Sequence, residues 1–146
     1  MAVRPQVYWE DVREGDEIPG LVYPITETQI VLQVSGSQDF YPVHHDREFA
    51  RAGGHPDIFV NTRFMRGCFS RLMTDFVGDE GWLNRFSIQM RRMNHSGDEM
   101  AVKGRIRRKY MDDSGNHKLD LDVWAENQRE GQTTVCDATV TLPSKG

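Results

Sequence analysis

The stretch NTRFMRGCFSRLMTDF, residues 61–76, decides the architecture. Phe64, Met65, Cys68, Phe69, Leu72, Met73 and Phe76 recur in it at i, i+3, i+4 and i+7, the spacing that gathers side chains on one side of a 3.6-residue helix. So wide an apolar face belongs against a core, which predicts a helix from Asn61 to about Phe76 that packs rather than binds a ligand. Asn61 is a favoured residue for capping its first turn.

Downstream the period changes. LNRFSIQMRRMNH (83–95), EMAVKGRIRRKYM (99–111), HKLDLDVWAENQ (117–128) and TTVCDATVTLP (133–143) read as strands divided by the turn signals SGD, DDSGN and REG. Leu119, Leu121 and Val123 alternate with Asp120, Asp122 and Trp124, and Cys136, Ala138, Val140 and Leu142 alternate in the same way. That is the pattern of a sheet with one buried face. One long helix beside a mostly antiparallel sheet is an α+β arrangement. No repeat, low-complexity tract or linker divides the chain, so residues 1–146 read as one domain.

Upstream, VYWEDVREGDEIPG (7–20) reads as a short strand or turn with a Gly-Asp corner. LVYPIT (21–26) is strand-like, with Pro24 pointing to an edge or a bulge. Thr26 can cap a helix over 27–36, in which Ile30, Val31 and Val34 fall at helical spacing and which delivers Asp39 just past its end. A second short helical turn fits DREFARAGG (46–54), with Asp46 as N-cap and Gly53-Gly54 as its stop.

Between these two helices lies SQDFYPVHHDREFA (37–50), where Asp39 and His44 stand five residues apart around Pro42. Proline fixes its own φ and pushes Tyr41 into an extended conformation, so the chain turns instead of continuing the helix. A carboxylate and an imidazole brought together can hold one water molecule, accept from it and return a proton. The spacing alone also suits a helix-capping Asp followed by a surface His.

Asp39-Phe40-Tyr41-Pro42-Val43-His44, with HHDREFA (44–50) and DIFVNTRF (57–64), resembles the MaoC-like family of hot-dog-fold enoyl-CoA hydratases and dehydratases, whose motif reads Asp-x-Asn-Pro-x-His. Within that family the chain looks most like the small catalytic subunit of steroid side-chain enoyl-CoA hydratases. The resemblance implies a curved antiparallel sheet wrapped around one long helix, and reversible, (R)-type addition of water to a trans-2-enoyl-CoA without a cofactor. It also implies a homodimer, or a heteromer with a second hot-dog subunit. Asp39 and His44 would be the catalytic pair, with the base between them left open. Tyr41, where the family has Asn, reshapes the mouth of the site for a bulky acyl group or simply fills space, and Phe59 stands beside it as a pocket residue. The family's His-Gly at the helix start is Asn61-Thr62 here, as in the steroid-type subunits, and the backbone of Asn61 and Thr62 would hold the thioester carbonyl.

Composition sets the outer bounds. The net charge of −4 argues against general nucleic-acid binding, yet residues 81–110 hold eight Lys/Arg against two acids. Most of these face solvent on strands, and Arg91, Arg92, Arg107 and Arg108 are candidates for the phosphates of coenzyme A. Cys68 and Cys136 read as buried free thiols. His44-His45-Asp46 with His55 or His95 makes a poor metal site, because adjacent side chains on an extended loop point apart. Neither a membrane-length apolar run nor a signal-peptide core in MAVRPQVYWEDV is present, and the reading is cytoplasmic. Two rivals stay open: a non-catalytic acyl-CoA-binding partner subunit, and a hot-dog thioesterase that directs water at the carbonyl carbon.

Overall fold

Thr62–Val77 form the long helix, α3, capped by the Asn61 side chain accepting from the Phe64 N–H at 2.9 Å. The computed structural model describes residues 5–146. The signal-peptide reading of the first twelve residues rests partly on residues 1–4, which lie outside the described ones. Met65, Cys68, Phe69, Leu72, Met73 and Phe76 are buried as their spacing predicts. Each such side chain contributes about 1.5–3 kcal/mol of transfer free energy.

Elements precede and follow α3 in the order β1 (Glu17–Pro24), α1 (Glu27–Ser37), α2 (Arg47–Ala52), α3, β2 (Trp82–Met90), β3 (Glu99–Met111), β4 (His117–Asn127) and β5 (Gly131–Thr141). The five strands make one antiparallel sheet in the order β1-β3-β4-β5-β2. At about 4.8 Å per strand such a sheet spans roughly 19 Å when flat, wider than a helix about 10 Å across. Yet α3 contacts both edge strands, β1 and β2, as well as β3 and β5. The sheet therefore curls around the helix, which is the hot-dog arrangement.

Three details correct the sequence expectations. β2 stops at Met90, because the N–H groups of Arg91 and Arg92 both turn to the Thr133 carbonyl, at 2.9 and 3.0 Å. Val31 faces solvent, since α1 buries only Ile30 and Val34. The strand expected over 21–26 begins earlier, at Glu17, after a single 3-10 turn at residues 9–11, which is one of the two readings of 7–20. As expected, β1 is an edge strand with an irregular register, between Ile18 and Leu21, and Pro24 is its last residue. Thr26 makes a reciprocal capping box with Gln29, and Asp46 caps α2 through the Phe49 N–H at 3.0 Å. Cys68 and Cys136 are buried free thiols, each pushed up to about 12 by burial. Among the described residues no helix is long and apolar enough to cross a membrane.

Candidate active site

The segment between α1 and α2 crosses the start of α3. α1 ends at Gln38, which adopts the left-handed conformation, φ 56°, the one non-glycine residue to do so among the described residues. Its side-chain amide donates to the Ser35 carbonyl at 2.6 Å, and the reversal sends Asp39 away from the helix axis. Tyr41 is extended and Pro42 opens one 3-10 turn, Pro42–His44, as the proline predicts. The turn closes through His45 and Asp46 N–H donation to the Pro42 carbonyl, at 3.0 and 2.7 Å.

His44 is 6% exposed and its Nδ1 lies 2.7 Å from the Phe59 carbonyl oxygen. A carbonyl oxygen only accepts, so Nδ1 carries the hydrogen, and in the neutral ring Nε2 is left as an acceptor. Nε2 faces Asp39 Oδ2 at 3.6 Å. Two acceptors at that separation do not bond to each other. A water about 2.8 Å from each would subtend roughly 80° between them and donate one hydrogen to each, leaving its lone pairs outward.

Asp39 is held as a carboxylate. The Asn61 amide donates to Oδ2 at 2.9 Å and, with the His44 ring when it is protonated, the Tyr41 N–H and Arg63 adding to it against partial burial, keeps the carboxyl below the usual carboxylate range. Asn61 serves two masters at once: Oδ1 caps α3, while Nδ2 reaches Asp39 and, at 3.0 Å, Ser37 Oγ. Its backbone N–H donates to Gln33 Oε1 at 3.2 Å. The expected carbonyl donor at Asn61 is thus occupied, a correction that leaves the Thr62 and Arg63 N–H groups as first-turn donors without a partner among the described residues.

These groups open onto one cavity of about 570 Å³, whose walls include Tyr41, Val43, Phe59, Met90 and Met93. The structure thus brings together Asp39, Tyr41, His44, Phe59, Asn61 and Thr62. Phe59 does more than line it, since its carbonyl fixes His44 and its ring meets the His44 ring edge-on at 5.1 Å. The four arginines separate. Arg107 is taken up on the sheet surface by Asp122 and Asp137, at 3.0 and 2.7 Å, and Arg108 lies over the Tyr110 ring. Arg91 and Arg92 follow Met90, which lines the cavity; Arg91 donates to Gln89 Oε1 and Arg92 pairs with Glu130, each at 3.3 Å. Arg63, missed as a cation, lines the cavity and donates to the Ser37 carbonyl at 2.9 Å. Its place just inside the helix start was the available signal. Gln33, Ser37, Met90 and Met93 carried no local signal. His45 turns away, its Nε2 2.9 Å from the Phe40 carbonyl.

A curated relative, the 3-oxo-4,17-pregnadiene-20-carboxyl-CoA hydratase beta subunit of Mycobacterium tuberculosis strain H37Rv, is 30% identical over 92 residues, 63% of this chain and 71% of the relative. The chain belongs to the MaoC-like hydratase and dehydratase family. Among solved structures the ChsH1-ChsH2 complex from Mycobacterium tuberculosis superposes with a TM-score of 0.79 at 25% identity, over 89% of this chain and 98% of that one. The MaoC-like dehydratase from Rhodospirillum rubrum, 18% identical with a TM-score of 0.81 over 96% and 99% of the two chains, shares the hot-dog fold. No protein-family model matches the sequence.

Proposed function

We propose that this MaoC-like chain adds water reversibly across a trans-2-enoyl-CoA to give the (R)-3-hydroxyacyl-CoA. One observation carries the reading: the Asp39 carboxylate and the His44 lone pair stand 3.6 Å apart in a cavity that also receives the open N–H groups of α3. Water held by the two acceptors attacks C3. Imidazole, the stronger base of the two types, takes the proton. The C=C electrons move to the thioester oxygen, which the Thr62 and Arg63 N–H groups stabilise as an enolate. The enolate then collapses as C2 receives a proton from the same pair, so atoms balance and the steps run equally in reverse.

A bulky, steroid-like acyl group is the preferred substrate in this reading, supported by the similarity to the pregnadiene-carboxyl-CoA hydratase subunit. Arg63 and Arg91 are the cations we assign to coenzyme A. Both sheet edges are open, with Trp82 on β2 69% exposed, and the active form is a homodimer or a heteromer with a second hot-dog subunit. Incubation with crotonyl-CoA and a steroidal enoyl-CoA, followed by mass spectrometry, separates water addition from release of free acid and CoA. Hydration retained at full rate by Asp39→Asn or His44→Ala would remove these residues from the mechanism. Size measurement and a search for a co-purifying chain accompany the assay, so that an absent partner is recognised.

A further inference from the structure

Beside the catalytic cavity lies a second, of about 430 Å³, and the two share Tyr41, Val43 and Phe59 as common walls. Beyond that shared wall the lining is Phe49, Ala52, Gly53 and His55. Tyr41 and Phe49 meet edge to face at 5.9 Å, and the His55 ring lies 4.5 Å from Phe59. The walls are thus apolar apart from the Tyr41 hydroxyl and one imidazole, and none is a Lys or Arg. Phosphates and a pantetheine amide chain find little there to bind, whereas an apolar group passing from the first cavity does.

The imidazole is not free to choose its tautomer. Asp98, 5% exposed, holds Arg129 Nη2 at 2.8 Å, and the same nitrogen lies 2.6 Å from His95 Nδ1. A guanidinium only donates, so His95 Nδ1 accepts and its hydrogen sits on Nε2. Burial, reinforced by the Arg129 charge, lowers the His95 pKa and keeps that ring neutral. His95 Nε2 then donates to His55 Nδ1 at 3.4 Å. The His55 hydrogen is thereby set on Nε2, which has no partner among the described residues. A chain of donors runs from the Asp98–Arg129 pair to His55, whose ring lines the second cavity.

We propose that this second cavity is a subsite for the far end of the acyl group, where the His55 Nε2–H donates to an acceptor oxygen such as a ring ketone. The preferred substrate is then bulky and apolar along its length, with a carbonyl remote from the thioester. The proposal rests on the acyl-CoA reading above. Its test is calorimetric titration of the protein with two saturated fused-ring acyl-CoAs, one bearing a distal ring ketone and one without it, which needs no turnover. Expected is about fivefold tighter binding of the ketone, the worth of one neutral hydrogen bond. His55→Leu removes that preference while leaving affinity for the ketone-free ligand, and His55→Gln, which keeps a donor, restores part of it. In the wild type the His55 ring resonances shift with the ketone and not with its counterpart, a reading that holds even where the leucine variant fails to fold. Equal affinities, or a preference unchanged by His55→Leu, overturn the subsite alone. Failure of both acyl-CoAs to bind overturns the acyl-CoA reading with it.

Discussion

Replacing Asn61 separates its two tasks. Asp and Ser cap helices about as well as Asn, so Asn61→Asp and Asn61→Ser keep the acceptor for the Phe64 N–H. Both lose the amide hydrogen that reaches Asp39 at 2.9 Å. A hydrogen bond to a charged acceptor is worth about 1.5–3 kcal/mol, and one pKa unit corresponds to about 1.4 kcal/mol. The Asp39 side chain is 31% exposed, and solvent screening puts the loss at the lower end of that range. The Asp39 midpoint should therefore rise toward the ordinary carboxylate range in Asn61→Ser. It should rise further in Asn61→Asp, where a second carboxylate stands against the first and the two titrate as a pair. The sign follows from the depressed native value. The stabilisation is complete above the ordinary carboxylate pKa of 3.8 and disappears as pH falls through the lower, folded one. Both variants should thus lose part of it at a higher pH than the wild type. Carbon-13 titration of the Asp39 carboxyl reads the midpoint directly, and the acid limb of kcat/KM for crotonyl-CoA reads its consequence. An unmoved midpoint in both variants would refute the assignment of Asn61 as the group that holds Asp39 ionised.

Asp39→Asn and His44→Ala should each lower kcat for hydration by about 10²–10⁴-fold, the range of a positioned acid or base, as product mass spectrometry will measure. Arg129→Met leaves the Asp98 carboxylate buried with its His95 N–H and Asn127 partners only partly replacing the lost cation. Because Arg129 is one-third exposed, the cost should be about 2 kcal/mol rather than the 3–5 of a fully buried pair, seen as a lower urea midpoint at constant slope. Phe69→Ala, in the fully buried stripe of α3, should cost about 3–5 kcal/mol by the same measurement.

What was legible in the chain was whatever depends on near neighbours. The α3 stripe, the cap at Asn61, the turn at Pro42 and the alternation of β4 and β5 each follow from residues within a few positions of one another. Val31 was misplaced because α1 packs on a narrow arc, and the two inward residues, Ile30 and Val34, are already one turn apart. Arg107 and Arg108 were drawn away from the cavity for a different reason. Arg107 looked available until strand register set it beside Asp122 and Asp137, the latter 30 residues away on β5.

The chemistry of His44 is the clearest case of information that only the fold supplies. Its spacing from Asp39 is visible in sequence, but its usable nitrogen is chosen by the Phe59 carbonyl 15 residues on. Phe59 is held in turn by its antiparallel bridge to His95, by the Val60 N–H to Asn94 and by the Ser96 N–H to the Ile58 carbonyl. The turn that carries His95 is tied down by Asp98, which accepts the His95 N–H at 2.7 Å and pairs with Arg129. Arg129 stands 85 positions from His44, yet it braces the segment that fixes the imidazole and, through His95, orients His55 at the second cavity. One half-buried ion pair therefore sets the geometry on both sides of Phe59. Its loss should loosen the His44 and His55 imidazoles together, which no variant of either residue alone would do.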